Sequence, residues 1–144
     1  MVDMKEIKYI LRGVSVEQFA TPFLPSLDDY DVNVSIPIKS NYQEHAIAIG
    51  ANVQFLLEGK VFIIAEAFCH YQIEPESWKE LSEGDSKDVV LPKGFIGDLA
   101  RIAVSTVRGV LCAKTENTPF SKYYLPLIMF NPKEGEDVKI SKPV

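Results

Sequence analysis

Four stretches in the first half of the chain alternate apolar and polar residues with the period of two that marks strands. The first, KEIKYILRGVSVEQF (residues 5–19), is rich in β-branched and aromatic residues and is interrupted at Gly13, where a bulge or bend is expected. In YDVNVSIPIKS (30–40), Val32, Val34, Ile36 and Ile38 share one face. Pro37 cannot donate to a ladder, so it places this strand at an edge or at a bulge. EHAIAIGANVQFLLE (44–58) puts Ile47, Ile49, Ala51, Val53, Phe55 and Leu57 on one side, and Glu58-Gly59 turns it tightly into KVFIIAEAFCHYQI (60–73). That fourth strand is apolar on both sides. Val61, Ile63, Ala65, Ala67, Cys69, Tyr71 and Ile73 form one face, while Phe62, Ile64 and Phe68 dominate the other. An antiparallel strand with one wet face is polar at alternate positions, so this one requires cover on both sides.

Residues 74–92 are polar and punctuated by Pro75, Gly84 and Pro92, with Trp78 and Leu81 anchoring a short helical turn. A helix follows over about 93–114, with Pro92 at its start. Within it, LARIAVSTVRGVLCA (99–113) poses a packing problem. Asp98, Arg101, Ser105 and Arg108 fall on one narrow polar stripe, and Asp98 can pair with Arg101 one turn on. Apolar residues fill the rest of the circumference, an arc much wider than the ~100° that one sheet can cover. A second partner beyond the protomer is therefore expected. The helix is read as an oligomer interface through Phe95, Leu99, Ile102, Val104, Val107 and Leu111. PFSKYYLPLIMFNP (119–132) then reads as extended or loop-like around its two prolines. The division expected is one domain over 1–132 and a polar, flexible tail over 133–144.

Composition narrows the function. With 144 residues, 47% of them hydrophobic and 24% charged, the chain is long enough for one domain with its own core. A net charge of −5 and a pI of about 5.0 argue against binding a nucleic-acid backbone or an anionic membrane. No leader pattern opens the chain, and no run approaches the roughly 20 apolar residues that span a bilayer. Cys69 and Cys112 sit in apolar segments and read as reduced thiols, which points to the cytoplasm. His45 and His70 are the only histidines, and neither has a ligand-spaced partner. Adjacent Cys69 and His70 point to opposite faces of a strand. There is no phosphate loop, nucleophile elbow or CxxC pair. Glu66, among apolar neighbours, reads as a rim or paired carboxylate rather than a catalytic acid. No catalysis, cofactor or metal is expected.

Four long strands, an apolar helix, an Arg-Gly pair and a Leu-Pro segment, in that order, resemble the SecB family of protein-export chaperones over residues 5–131. The resemblance is carried chiefly by LPKGFIGDLARIAVSTVRGVLCA and YLPLIMFNP. In these, Arg108-Gly109 look like the family's Arg-Gly near the end of its first helix, and Leu125-Pro126 like its proline-bearing segment. The resemblance implies an α+β protomer, with a four-stranded antiparallel sheet, a crossover loop after the first strand and one long backing helix. It implies pairing into a dimer of dimers, and ATP-independent holding of unfolded or newly made polypeptides. Such holding serves protein export through the SecA motor, or an antitoxin as a dedicated chaperone. The loop ATPFLPSLDDY (20–30) then becomes one wall of a client groove. Phe19, Phe23, Leu24, Leu27 and Tyr30 contribute to it, with Phe120, Tyr123 and Tyr124 on another wall. Arg108 and Gly109 become a device fixing how the chain leaves toward Leu125 and Pro126, with Gly109 permitting close packing or ending the regular helix.

Two departures bear on SecA. The C-terminal helix is missing from KEGEDVKISKPV, and the acidic sheet position that meets the motor falls near the apolar Ile64, with Glu66 two along on the same face. Two other readings stand beside the chaperone. One is an oligomeric interaction or structural protein of the same fold without holding activity. The other is a hotdog-type thioesterase, whose long helix precedes most of its sheet, unlike the order here.

Overall fold

A computed structural model describes residues 7–83, 87–127 and 135–143. The expectations for residues 5–6, Gly84, 128–132 and the start of the tail lie outside these. The main sheet is antiparallel, built from β1 (Tyr9–Ala20), β2 (Asp31–Ser35), β3 (Ile38–Asn41), β4 (Ala46–Leu57) and β5 (Lys60–Ile73). Its order is β1-β5-β4-β2, with β3 also paired to β4. Helix α1 (Pro75–Glu80) leads to β6 (Ser82–Glu83), β7 (Asp88–Leu91), the long helix α2 (Lys93–Thr115) and β8 (Val138–Ile140). The fold is α+β, an antiparallel sheet with one long helix.

The central hairpin follows the alternation closely. Ile47, Ile49, Ala51, Val53 and Phe55 of β4 are all buried, as are Ala65, Ala67, Cys69, Tyr71 and Ile73 of β5. The connecting residues Glu58 (φ 50°) and Gly59 (φ 79°) both take positive φ, the twist that a two-residue hairpin turn requires. The predicted second strand divides at Ile36-Pro37 into β2 and β3, which together form the edge beyond β4. In β1 the register slips between Leu11 and Gly13, where an irregularity is expected, and again between Val16 and Gln18.

The face assigned to Phe62 needs correction. Phe55 pairs with Ile63 and Leu56 with Val61, so Phe62 is the extra residue of a bulge. Its ring lies in the core, 6.2 Å from Phe55 and 5.0 Å from Tyr123. Phe68 does face the other way, over Gly50. A Cβ on Gly50 would come within 2.8 Å of both the Phe68 ring and the Ala67 carbonyl oxygen, so glycine is what lets Phe68 lie flat on β4.

Helix α2 lies over β4 and β5. The wide apolar arc is resolved within the protomer. Phe95, Leu99, Val104, Val107 and Leu111, expected to meet a second copy, are all at most 4% exposed and belong to the protomer's own core; Ile102 alone of that set is exposed. The flank beyond the sheet is met by segments on either side of α2 in the chain, because Leu91 before it and Tyr123, Leu125 and Ile140 after it join the same core cluster. The stretch read as a frayed tail is partly a strand, since β8 pairs with β7 through Val89–Ile140, Val90–Lys139 and Leu91–Val138. Lys93 N–H also donates to the Asp137 carboxylate at 2.9 Å. Strands this short carry too few residues for a period to show.

Candidate functional site

The crossover loop, residues 21–30, does not simply turn the chain. Pro25 is buried, and Phe23 and Tyr30 are half-buried with their rings turned inward. Phe23 lies 6.0 Å from Phe62, while Tyr30 lies 5.7 Å from Phe55, 6.0 Å from Phe62 and 5.3 Å from Tyr123. Edge-to-face contacts dominate this pile, the arrangement aromatic rings prefer. It welds the loop to the segment after α2. Lys122 extends the weld, with its ammonium 3.7 Å from the Asp28 carboxylate.

The remaining apolar side chains of these two segments point out. Leu24 is 53% exposed, Leu27 54%, Tyr124 71% and Leu127 86%. In the second segment Tyr123 and Leu125 point in and Tyr124 points out, as an extended chain dictates, whereas Leu127 beyond Pro126 departs from that alternation and also points out. Of the expected client-facing residues, the structure therefore brings Leu24, Leu27 and Tyr124 to the surface. Phe19, Phe23, Tyr30 and Phe120 are partly buried supports packed on the core. Tyr123 is a core residue, 4% exposed. Its position in a Tyr-Tyr pair left open which ring turns in. Leu127 is not among the residues expected from the sequence; alternation from Leu125 would turn it inward, so no local signal marks it as exposed.

Arg108 holds the second segment in place. Its Nε donates to the Leu125 carbonyl at 3.0 Å and its Nη2 to the Pro126 carbonyl at 2.8 Å. The expected link between Arg108 and Leu125-Pro126 is thus a guanidinium clamp on two backbone oxygens. Gly109 has neither role proposed for it. The helix continues to Thr115, and a Cβ at Gly109 would meet nothing within 4 Å. Arg108→Ala is expected to cost about 1–3 kcal/mol and to expose residues 119–127 to limited proteolysis, while Arg108→Lys restores little because the fork is lost.

A second apolar surface lies where β1 passes beyond the helix. Leu11, Val14 and Val16 pair with Tyr71, Cys69 and Ala67, which puts them on the helix side of the sheet. They are 55%, 51% and 46% exposed, and Ile102 of α2 is 45% exposed. The bulge beside Gly13 breaks the alternation of β1 and hid this strip from the sequence. Beneath it, burial together with the neighbouring Cys69 thiol pushes the Tyr71 phenol well above its usual pKa, so it stays protonated.

Among the described residues no group of three or more His, Cys, Asp or Glu could hold a metal, and no helix is long and apolar enough to cross a membrane. Ile64 and Glu66 share the sheet face turned away from α2, where Asn52 Nδ2 donates to the Glu66 carboxylate at 2.8 Å. Glu66 is a paired carboxylate.

No family model and no curated protein sequence matches the chain. Among solved structures, it is similar to the SecB-like chaperone Rv1957 of Mycobacterium tuberculosis in complex with a ChAD peptide from the HigA1 antitoxin. That match has 12% identity and a TM-score of 0.49, and covers 83% of this chain and 90% of that one. It is also similar to a protein of unknown function from Streptococcus agalactiae, at 14% identity and a TM-score of 0.40, covering 85% of this chain and 98% of that one.

Proposed function

We propose that this protein is an ATP-independent chaperone that holds unfolded polypeptide segments on the rim formed by Leu24, Leu27, Tyr124 and Leu127. The observation that carries the reading is that apolar side chains stand outward on two segments whose backbones are fixed from below. The aromatic pile and the Arg108 clamp hold these segments, so a client does not have to order them first. An unfolded client offers apolar side chains in no fixed order, and burial at roughly 25 cal/mol per Å² accepts any of them. Asp28 and Asp29 beside the rim are exposed and favour clients with basic residues.

A homo-oligomer belongs to the same reading. β1 is an edge strand, and its helix-side face is the apolar strip Leu11, Val14 and Val16, continued by Ile102. A second copy covers both the edge and the strip. Handover to SecA is not part of the reading, because the sheet face that would meet the motor presents Ile64 and an already engaged Glu66.

The test is suppression of aggregation of an unrelated, chemically denatured protein, followed by light scattering without nucleotide. Suppression at near-stoichiometric ratio is expected, unchanged by ATP. Undiminished aggregation at a several-fold excess of the protein would favour an interaction protein of the same fold.

A further inference from the structure

The sheet face turned away from α2 carries a cavity of about 750 Å³ that the holding function does not use. It lies at the Ala46 end of the hairpin, whereas the rim stands on segments packed at the Phe55 end. Its floor is made by Ala46 and Ala48, which leave the middle of the sheet low. Across the sheet, Ala46 pairs with Gln72 and Ala48 with His70 on β5, and on the other side Ala48 pairs with Lys39 of β3. Arg12 of β1 closes the far wall.

The cations here are held only by neutral groups. Arg12 donates through Nε and Nη2 to the Gln72 amide oxygen at 3.0 and 2.7 Å, and Lys39 Nζ lies 4.2 Å from the centre of the Phe68 ring. Among the described residues neither has a carboxylate partner, although the chain carries a net charge of −5 and Glu44 lines the same cavity. His70 also lines the cavity. Its Nε2 is 2.7 Å from Ser15 Oγ, which is also 3.0 Å from the Glu17 carboxylate. The carboxylate can only accept, so Ser15 donates to it and accepts from His70 Nε2–H. That leaves Nδ1 as the ring nitrogen without a partner among the described residues.

We propose that this trough docks an extended acidic segment of a partner polypeptide. Arg12 is held at Gln72 and Lys39 over Phe68, four residues apart on β5, about 13 Å along the strand. A single carboxylate or phosphate cannot sit close to both without drawing each away from its present contact. An extended chain laid along β5 repeats its side-chain direction about every 6.8 Å, so acidic residues four apart match the span. The peptide backbone then runs beside His70, over Ala46 and Ala48, whose short side chains leave room for it. Asn41, whose Oδ1 already accepts from Glu44 N–H at 3.2 Å, keeps its amide N–H₂ for a peptide carbonyl.

Fluorescence anisotropy with a labelled peptide Gly-Glu-Ser-Thr-Ser-Glu-Gly tests this on the full chain, with the Gln-for-Glu peptide as control. Binding of the acidic peptide alone is expected, weakening with salt. Arg12→Gln and Lys39→Gln are each expected to weaken it by about three- to tenfold, and together to abolish it. Both side chains are exposed, so an unchanged melting temperature shows that the variants remain folded. Leu24→Ser/Leu27→Ser leaves peptide binding intact, which separates this site from the holding surface. Equal binding of both peptides, insensitivity to the double variant, or displacement by equimolar inorganic phosphate or a single-stranded oligonucleotide would overturn the proposal.

Discussion

Val104→Asp is expected to remove the cooperative thermal transition altogether. Val104 is 2% exposed and packed in the core beneath α2, where a carboxylate finds no partner. The loss is about 4 kcal/mol or more, against a total of about 5–15 kcal/mol for an ordinary domain. Ile102→Asp, two residues earlier on the same helix, has the opposite profile. Ile102 is 45% exposed, so the protomer changes by about 0.5 kcal/mol and still melts cooperatively. What changes is assembly. Light scattering is expected to give two- or fourfold 16.1 kDa for the natural chain and a mass near 16.1 kDa for Ile102→Asp. A folded, fully assembled Val104→Asp protein would show that the helix faces are assigned the wrong way round.

The double substitution Leu24→Ser/Leu27→Ser is expected to weaken client holding by about tenfold or more, with the melting temperature nearly unchanged. Each leucine is about half exposed, so a client buries the remainder, contributing about 1 kcal/mol per residue. Their neighbours behave differently. Tyr30→Ser removes a ring that touches Phe55, Phe62 and Tyr123, and about 3 kcal/mol of stability goes with it. Phe23→Ser falls between the two, because Phe23 rests on Phe62 at the margin of the core. Denaturant midpoints and aggregation assays on the same preparations separate the effects. A large fall in stability for Leu24→Ser/Leu27→Ser, with holding intact, would make the whole loop a lid on the core.

What could be read from the residues follows the range of the signals. The β4–β5 hairpin was legible because β4 keeps one period over its length, β5 keeps it from Ile63 onward, and Glu58-Gly59 marks the turn. Pro37 and Gly13 also marked real interruptions. Phe62 was misplaced because a bulge is a slip of one residue, and a slip of one reverses every assignment made by alternation. The strands β6, β7 and β8 have two to four residues each and depend on pairing between distant parts of the chain, which no local pattern carries.

The helix shows the same limit. Its wide apolar arc was visible, but residues 119–127, which help cover it, have no period of their own, so the missing partner was sought in a second copy. The candidate site was half legible. An apolar loop between strands called for an explanation, yet only burial separates Leu24 and Leu27 from Phe23 and Tyr30.

The central claim is that unfolded polypeptide settles on the rim carried by the crossover loop and residues 119–127. A photo-crosslinking residue placed at position 27, at 124 and, as control, at 54 on the opposite sheet face tests it directly. A denatured apolar client is expected to be captured from positions 27 and 124 and not from 54. Capture from 54 as strongly as from 27, or from none of the three while aggregation is still suppressed, would contradict the account.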